Sequence, residues 1–146
     1  SETTLLELVH AFSMVATHGI QREPYGVLEI RSADGAILYQ RKPTPVDEKP
    51  DRVFSEKVMK SLEEMLARSV EEGTSKNARI PGIRVCGKTG TTQKFRDAWF
   101  VGYIPGLVAG VWMGNLNDTP MNRVVGGKFP AQLWSAIMRH AKVKGS

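Results

Sequence analysis

The stretch "GIRVCGKTGTT", residues 82–92, satisfies two short patterns at once. Read from Gly82 it is G-x-x-x-x-G-K-T, the spelling of a phosphate-cradling P-loop. Read from Lys88 it is Lys-Thr-Gly-Thr, which on a strand sets a cation and two hydroxyls beside a cleft. The two readings require different folds. A P-loop needs a buried strand before its first glycine and a helix beginning at its Lys-Thr pair.

The flanking residues favour the strand. Before Gly82 stands "EEGTSKNARIP", polar and closed by a proline. After Lys88 come a glycine and three β-branched threonines, poor helix formers, and "IRVC" inside the supposed loop is β-prone. No second strand ending in aspartate is evident for a nucleotide's metal. The sequence therefore predicts a strand over 83–92. Period two places Thr89 and Thr91 on one face, and Gly90 between them leaves room for a substrate backbone. Two hydroxyls and a cation can hold a carboxylate, and an edge-strand N–H can stabilise an oxyanion.

Outward from this run, 4–18 reads as a helix capped by Thr4 and Glu7. Its stripe is Leu5, Leu8, Val9, Phe12, Val15 and Ala16, with Gly19 as the stop. "VLEIRS" and "AILYQ" flank an Asp34-Gly35 hairpin turn. A charged connector over 41–52, the one segment whose composition suggests disorder, leads to a second helix over 55–72. Its expected face is Val58, Leu62, Met65, Leu66 and Ser69, with favourable Glu56/Lys60 and Glu64/Arg68 pairs and Gly73 at its end. Strands are expected over 98–103 and 108–113, joined by a Pro105-Gly106 turn. A last helix begins near Pro130, with Leu133, Trp134, Ile137, Met138 and Ala141 inward. Arg139, Lys142 and Lys144 lie favourably near its C-terminus.

"AWFVGY" and "VAGVWM" are apolar on both faces, the pattern of a sheet covered on both sides. The first and last helices can cover one face, so the rest is expected to be covered by something outside this chain. The abrupt opening "SETTLLEL" likewise reads as the start of a fragment.

The 146 residues suit one domain, with 41% hydrophobic and 24% charged residues, as in ordinary globular proteins. The net charge of +5 is carried by scattered lysines and arginines, not a basic tail. No nucleic-acid-binding module is spelled. Cys86 is the sole cysteine, which excludes an internal disulfide framework and a cysteine-rich zinc site. His10, His18 and His140 lack metal-ligand spacing. The most apolar stretch, 98–114, is too short and too broken by glycine and proline to span a bilayer.

From Thr4 to the last helix, the chain resembles the C-terminal half of the transpeptidase domain in class A, bifunctional penicillin-binding proteins. The resemblance rests on "GKTGTTQKFRDAWFVGYIPGLVAGVWMGN". Upstream it is supported by "TLLELVHAFSMVATHG" and "EEGTSKNARIPG", and downstream by "GGKFPAQLWSAIM". It implies an α+β fold, an antiparallel sheet flanked by N- and C-terminal helices, as an incomplete β-lactamase/transpeptidase-like domain spanning 1–146. Lys88 would line the cleft, assist proton transfer and steer the substrate's carboxylate; Thr89, Gly90 and Thr91 would bind substrate, the two threonines by hydrogen bonds to that carboxylate. The Thr91 N–H would form half of an oxyanion hole. Asp97, Trp99, Gly102, Gly126, Gly127 and Trp134 also match, and read as architecture.

The family's nucleophile lies in S-x-x-K, with a second serine in S-x-N. No serine here is followed by lysine three residues on, and Ser75-Lys76-Asn77 spells S-x-N where the family has no catalytic motif. Both motifs are expected upstream of residue 1, with a glycosyltransferase domain and a membrane anchor in the parent, and this chain alone is expected to be inactive.

The implied reaction is serine acyl transfer on the D-Ala-D-Ala end of a peptidoglycan stem peptide, outside the cytoplasm, with no metal or organic cofactor and with β-lactams as mimics. Within the fold, the rivals are a serine β-lactamase and a β-lactam sensor. Outside it stand a P-loop module and a non-catalytic cell-wall-binding module.

Overall fold

In the computed structural model, which describes residues 3–42 and 52–141, Lys88 and Thr89 lie inside a strand. The elements in chain order are α1 (Leu5–Ala16), β1 (Glu29–Arg31), β2 (Ile37–Gln40), α2 (Glu56–Glu71), β3 (Cys86–Thr91), β4 (Asp97–Ile104), β5 (Leu107–Gly114) and α3 (Phe129–His140). Gly82 sits two residues into a turn after Ile80, with φ of 75°, and Ile83 N–H returns to Ile80 O at 3.1 Å. A proline followed by a left-handed glycine is a type II turn. No helix starts at Lys88, so the P-loop geometry does not form.

The fold is α+β. β1 and β2 make a separate antiparallel hairpin, and β3, β4 and β5 form an antiparallel sheet in that order. Both expected turns form: Gly35 has φ of 90° and Gly106 of 83°. β1 and β2 are shorter than the runs that announced them, and every residue of β2 is exposed. The Thr4/Glu7 capping box is complete, with Thr4 N–H donating to Glu7 at 2.7 Å. Most of the connector, residues 43–51, and Lys142 and Lys144 lie outside the described residues.

One expectation about the layers is corrected. α1 and α3 do not share a face of the sheet; they lie on opposite faces. Adjacent strand residues point to opposite sides. Phe100 and Val111 belong to a core with Trp134 and Met138 of α3, whereas Tyr103 and Val108 pack with Phe12, Val15 and Ala16 of α1. Gly110 makes the second layer possible, because a Cβ there would sit 2.7 Å from both Leu5 Cδ1 and Val9 Cγ2. α2 runs beside β3 and feeds both cores, Val70 into one and Met59, Leu66 and Ala67 into the other.

Two helix faces are rotated from expectation. In α2, Met59, Leu66, Ala67 and Val70 are buried while Val58 and Met65 are exposed; in α3, Pro130, Ala131, Trp134, Ser135 and Met138 are buried while Leu133 and Ile137 are exposed. Each helix carries two overlapping 3.6-residue apolar series, and periodicity alone does not say which faces the sheet. Glu56 pairs with Lys60 at 2.7 Å, but Glu64 turns to Arg84 at 2.6 Å instead of Arg68.

Cys86 is 1% exposed, beside Tyr103. Burial pushes both the Cys86 thiol and the Tyr103 phenol above their ordinary pKa values. A neutral, buried thiol is unreactive. Iodoacetamide at neutral pH is therefore expected to leave Cys86 unmodified in the native chain and to alkylate it once urea unfolds it, as read by intact mass.

Candidate active site

β3 is an edge strand. It pairs with β4 on one side, and among the described residues no strand pairs with the other. The ladder fixes which backbone groups face that open edge. Thr92 N–H donates to Asp97 O at 3.0 Å, and Thr91 stands opposite Ala98. Antiparallel pairs alternate between hydrogen-bonded and non-hydrogen-bonded. Thr92 and Asp97 are a bonded pair, so the Thr91/Ala98 and Thr89/Phe100 pairs are not. The N–H and C=O of Thr89 and Thr91 consequently point away from β4, into the open edge.

The side chains divide as the pleat requires. Lys88 and Gly90 lie toward the α1 side. There they line a groove of about 620 Å³ together with Leu8, Phe12 and Trp99. Thr89 and Thr91 share the other face, bordering a second groove of about 670 Å³ with Thr74, Val125 and Gly127. Lys88 is long enough to cross the edge: its Nζ donates to Thr89 O at 2.8 Å and approaches Thr89 Oγ1 at 3.4 Å. The structure thus brings the ammonium and the Thr89 hydroxyl together at the strand's free edge.

The two hydroxyls keep capacity for a ligand. Gly126 N–H donates to Thr91 Oγ1 at 3.1 Å, leaving the Thr91 proton free to donate outward. Thr89 Oγ1 lies 3.0 Å from Thr74 Oγ1. Among the described residues no carboxylate comes within ion-pair distance of Lys88. A cation, hydroxyl protons and an outward N–H on one edge can bind a carboxylate and stabilise a developing oxyanion.

Asp97 closes the turn between β3 and β4: its carboxylate accepts from Thr92 Oγ1 at 3.1 Å and Trp112 Nε1 at 2.8 Å. Trp99 packs near Trp112, ring centroids 6.3 Å apart. Gly102 faces Gly87, and a Cβ on it would meet Cys86 O at 2.7 Å. Trp134 is wholly buried, edge-on to Phe100 at 5.0 Å, and donates to Ala109 O at 2.9 Å. Ser75 is also wholly buried, 3.0 Å from Ser69 Oγ, and Asn77 donates to Gly127 O at 2.7 Å. The S-x-N spelling is thus occupied with internal bonds. His18 pairs with Glu63 at 2.9 Å, and no metal-binding cluster exists among the described residues.

Sequence reasoning missed Thr74 and the Gly126 contact with Thr91. Nothing in the spelling of a lone threonine, or of a glycine 35 residues away, signals contact with β3. Gly126 is confined: a Cβ there would lie 2.2 Å from Trp99 O and 2.5 Å from Gly90 O. Gly126→Ala is expected to lift this loop off β3, costing about 1–3 kcal/mol in denaturant unfolding. In the full parent chain, which would supply the nucleophile, it should also slow labelling by a fluorescent penicillin, because Thr91 loses its backbone partner.

These features coincide with a known class. Residues 1–139 match the penicillin binding protein transpeptidase domain, and the chain belongs to that family. It is 31% identical over 139 residues to penicillin-binding protein 1A of Aquifex aeolicus, covering 94% of this chain and 18% of that protein. To penicillin-binding protein 1F of Bacillus subtilis it is 32% identical over 148 residues, covering 96% and 20%. The chain therefore spans about a fifth of the length of these relatives. The structure of PonA1 from Mycobacterium tuberculosis superposes with a TM-score of 0.79 at 28% identity, covering 93% of this chain and 37% of that one. None of the described helices is long and apolar enough to cross a membrane.

Proposed function

We propose that this chain supplies the Lys-Thr-Gly-Thr wall of a serine acyl-transfer site in a peptidoglycan DD-transpeptidase. The observation that carries the reading is the open edge of β3, where Lys88, the Thr89 and Thr91 hydroxyls and an outward Thr91 N–H stand together. Lys88 and the two threonines hold the C-terminal carboxylate of a D-Ala-D-Ala stem peptide. The Thr91 N–H takes the carbonyl oxygen as it gains charge. Lys88 assists proton transfer to and from the attacking hydroxyl.

The nucleophile comes from a segment outside this sequence, since none of its serines opens an S-x-x-K. That serine attacks the amide carbonyl, D-alanine leaves with the proton, and an amine from a neighbouring strand resolves the acyl-enzyme. This chain alone is inactive. Membrane attachment comes only through the parent's anchor, and the site works on the outer side of that membrane. β-Lactams occupy it as substrate mimics; PonA1, which is 26% identical with a TM-score of 0.77, has been solved in complex with penicillin V.

The test is the fate of fluorescent penicillin on the full parent chain. A transpeptidase forms a covalent adduct that persists far beyond the labelling time. Rapid release of hydrolysed drug would assign a β-lactamase instead, and no adduct would reject the reading.

A further inference from the structure

Three cationic side chains of the 76–84 stretch and one from α3 line one cleft beside the Pro81–Gly82 turn. Lys76, Arg79, Arg84 and Arg139 line a depression of about 510 Å³ over Ile80, Pro81 and Ile83. Among the described residues, Glu71 is the one carboxylate in its wall and Asn77 the one amide. Glu71 faces these four cations in the wall, and Arg84 is itself paired with Glu64 at 2.6 Å and Glu63 at 3.6 Å, so the positive charge open to a ligand is that of Lys76, Arg79 and Arg139.

Two of the guanidinium groups are braced on backbone. Arg79 Nε donates to Val70 O at 3.1 Å, and Arg139 Nη2 donates to Arg79 O at 3.2 Å. Each bond uses one of the five N–H donors of an arginine. It fixes the group without satisfying it. Among the described residues, no carboxylate lies within ion-pair distance of Lys76, Arg79 or Arg139. All four residues are exposed to solvent, and these two bonds hold Arg79 and Arg139 at the wall of the concavity.

Planar guanidinium forks suit multi-oxygen anions, which they bind through paired N–H donors. Several such donors around one cleft match a phosphate better than a single carboxylate. We propose that this cleft binds a phosphate group, carried by a soluble phosphorylated compound or by a lipid headgroup. The donors are side chains, so this site owes nothing to the P-loop spelling, and it does not depend on the acyl-transfer reading.

The test is equilibrium dialysis of the parent's complete transpeptidase domain against radiolabelled inorganic phosphate at low salt. It is paired with co-sedimentation on phosphatidylglycerol or phosphatidylcholine vesicles. Saturable phosphate binding is expected. Arg139→Gln should weaken it about tenfold or more, the worth of a charge-assisted hydrogen bond. Lys76→Gln, whose side chain braces nothing, should weaken it several-fold without altering the fold. Lys57→Gln removes the same charge at another surface and should leave binding within about twofold.

Phosphate binding without preference for phosphatidylglycerol assigns the soluble compound. Vesicle binding that Arg139→Gln weakens and free phosphate competes away assigns the headgroup. Absence of saturable binding to either probe would overturn the proposal. So would equal weakening by Lys57→Gln, the mark of diffuse electrostatics.

Discussion

In the full parent chain, Lys88→Ala is expected to slow acylation by benzylpenicillin by about 10²- to 10⁴-fold, the usual range for losing a positioned proton-transfer group. Thermal stability should barely move. Lys88 is exposed on β3, and its bonds go to Thr89 alone. Surface substitutions of that kind stay within about 0.5 kcal/mol. The two readouts must separate, with acylation falling steeply while the unfolding midpoint holds. Among the described residues its ammonium has only neutral oxygens as partners, which leaves its field to act on an incoming carboxylate. Such an attraction is about 1 kcal/mol at 4 Å in water and several times that when the cleft excludes solvent. Near-normal penicillin uptake by the variant would remove Lys88 from the mechanism.

Trp134→Ala is expected to produce the largest loss of stability, about 3–5 kcal/mol, the range for truncating a fully buried aromatic residue. Three effects combine at this position. The indole is wholly buried, it meets Phe100 edge-on at 5.0 Å, and its Nε1 satisfies Ala109 O at 2.9 Å. Phe100 is directly opposite Thr89 in the ladder, so the packing that holds α3 also steadies the strand bearing the site. Denaturant unfolding measures the loss. A change below about 1 kcal/mol would mean that α3 contributes little to holding the sheet.

Local signals carried much of this architecture. Capping at Thr4, proline-glycine and aspartate-glycine turns, and β-branched runs each act within a few residues, and each element they announce is present. The apolar character of β4 and β5 announced two covered faces. What was illegible depended on contacts between distant segments. Which of two overlapping apolar series in α2 and α3 turns inward is settled by the sheet they meet, not by their own spacing. The separation of α1 and α3 onto opposite faces rests on Gly110, whose missing side chain matters only once α1 arrives.

The candidate site divides in the same way. Lys88, Thr89, Gly90 and Thr91 are consecutive, so their spelling could be read directly. Thr74 and Gly126 reach β3 from elsewhere in the chain. The outward direction of the Thr91 N–H follows from the pairing of Thr92 with Asp97, a matter of register that composition does not encode.

The central claim is that this chain provides the electrostatic wall of an acyl-transfer site whose nucleophile lies in another segment. Intact-mass spectrometry before and after excess benzylpenicillin tests it most directly, applied both to the 146-residue chain and to its full parent. No mass gain is expected on the 146-residue chain, and one penicillin mass is expected on the parent at a serine outside this sequence. An adduct on this chain itself would contradict it, because one of its own residues would then be the nucleophile.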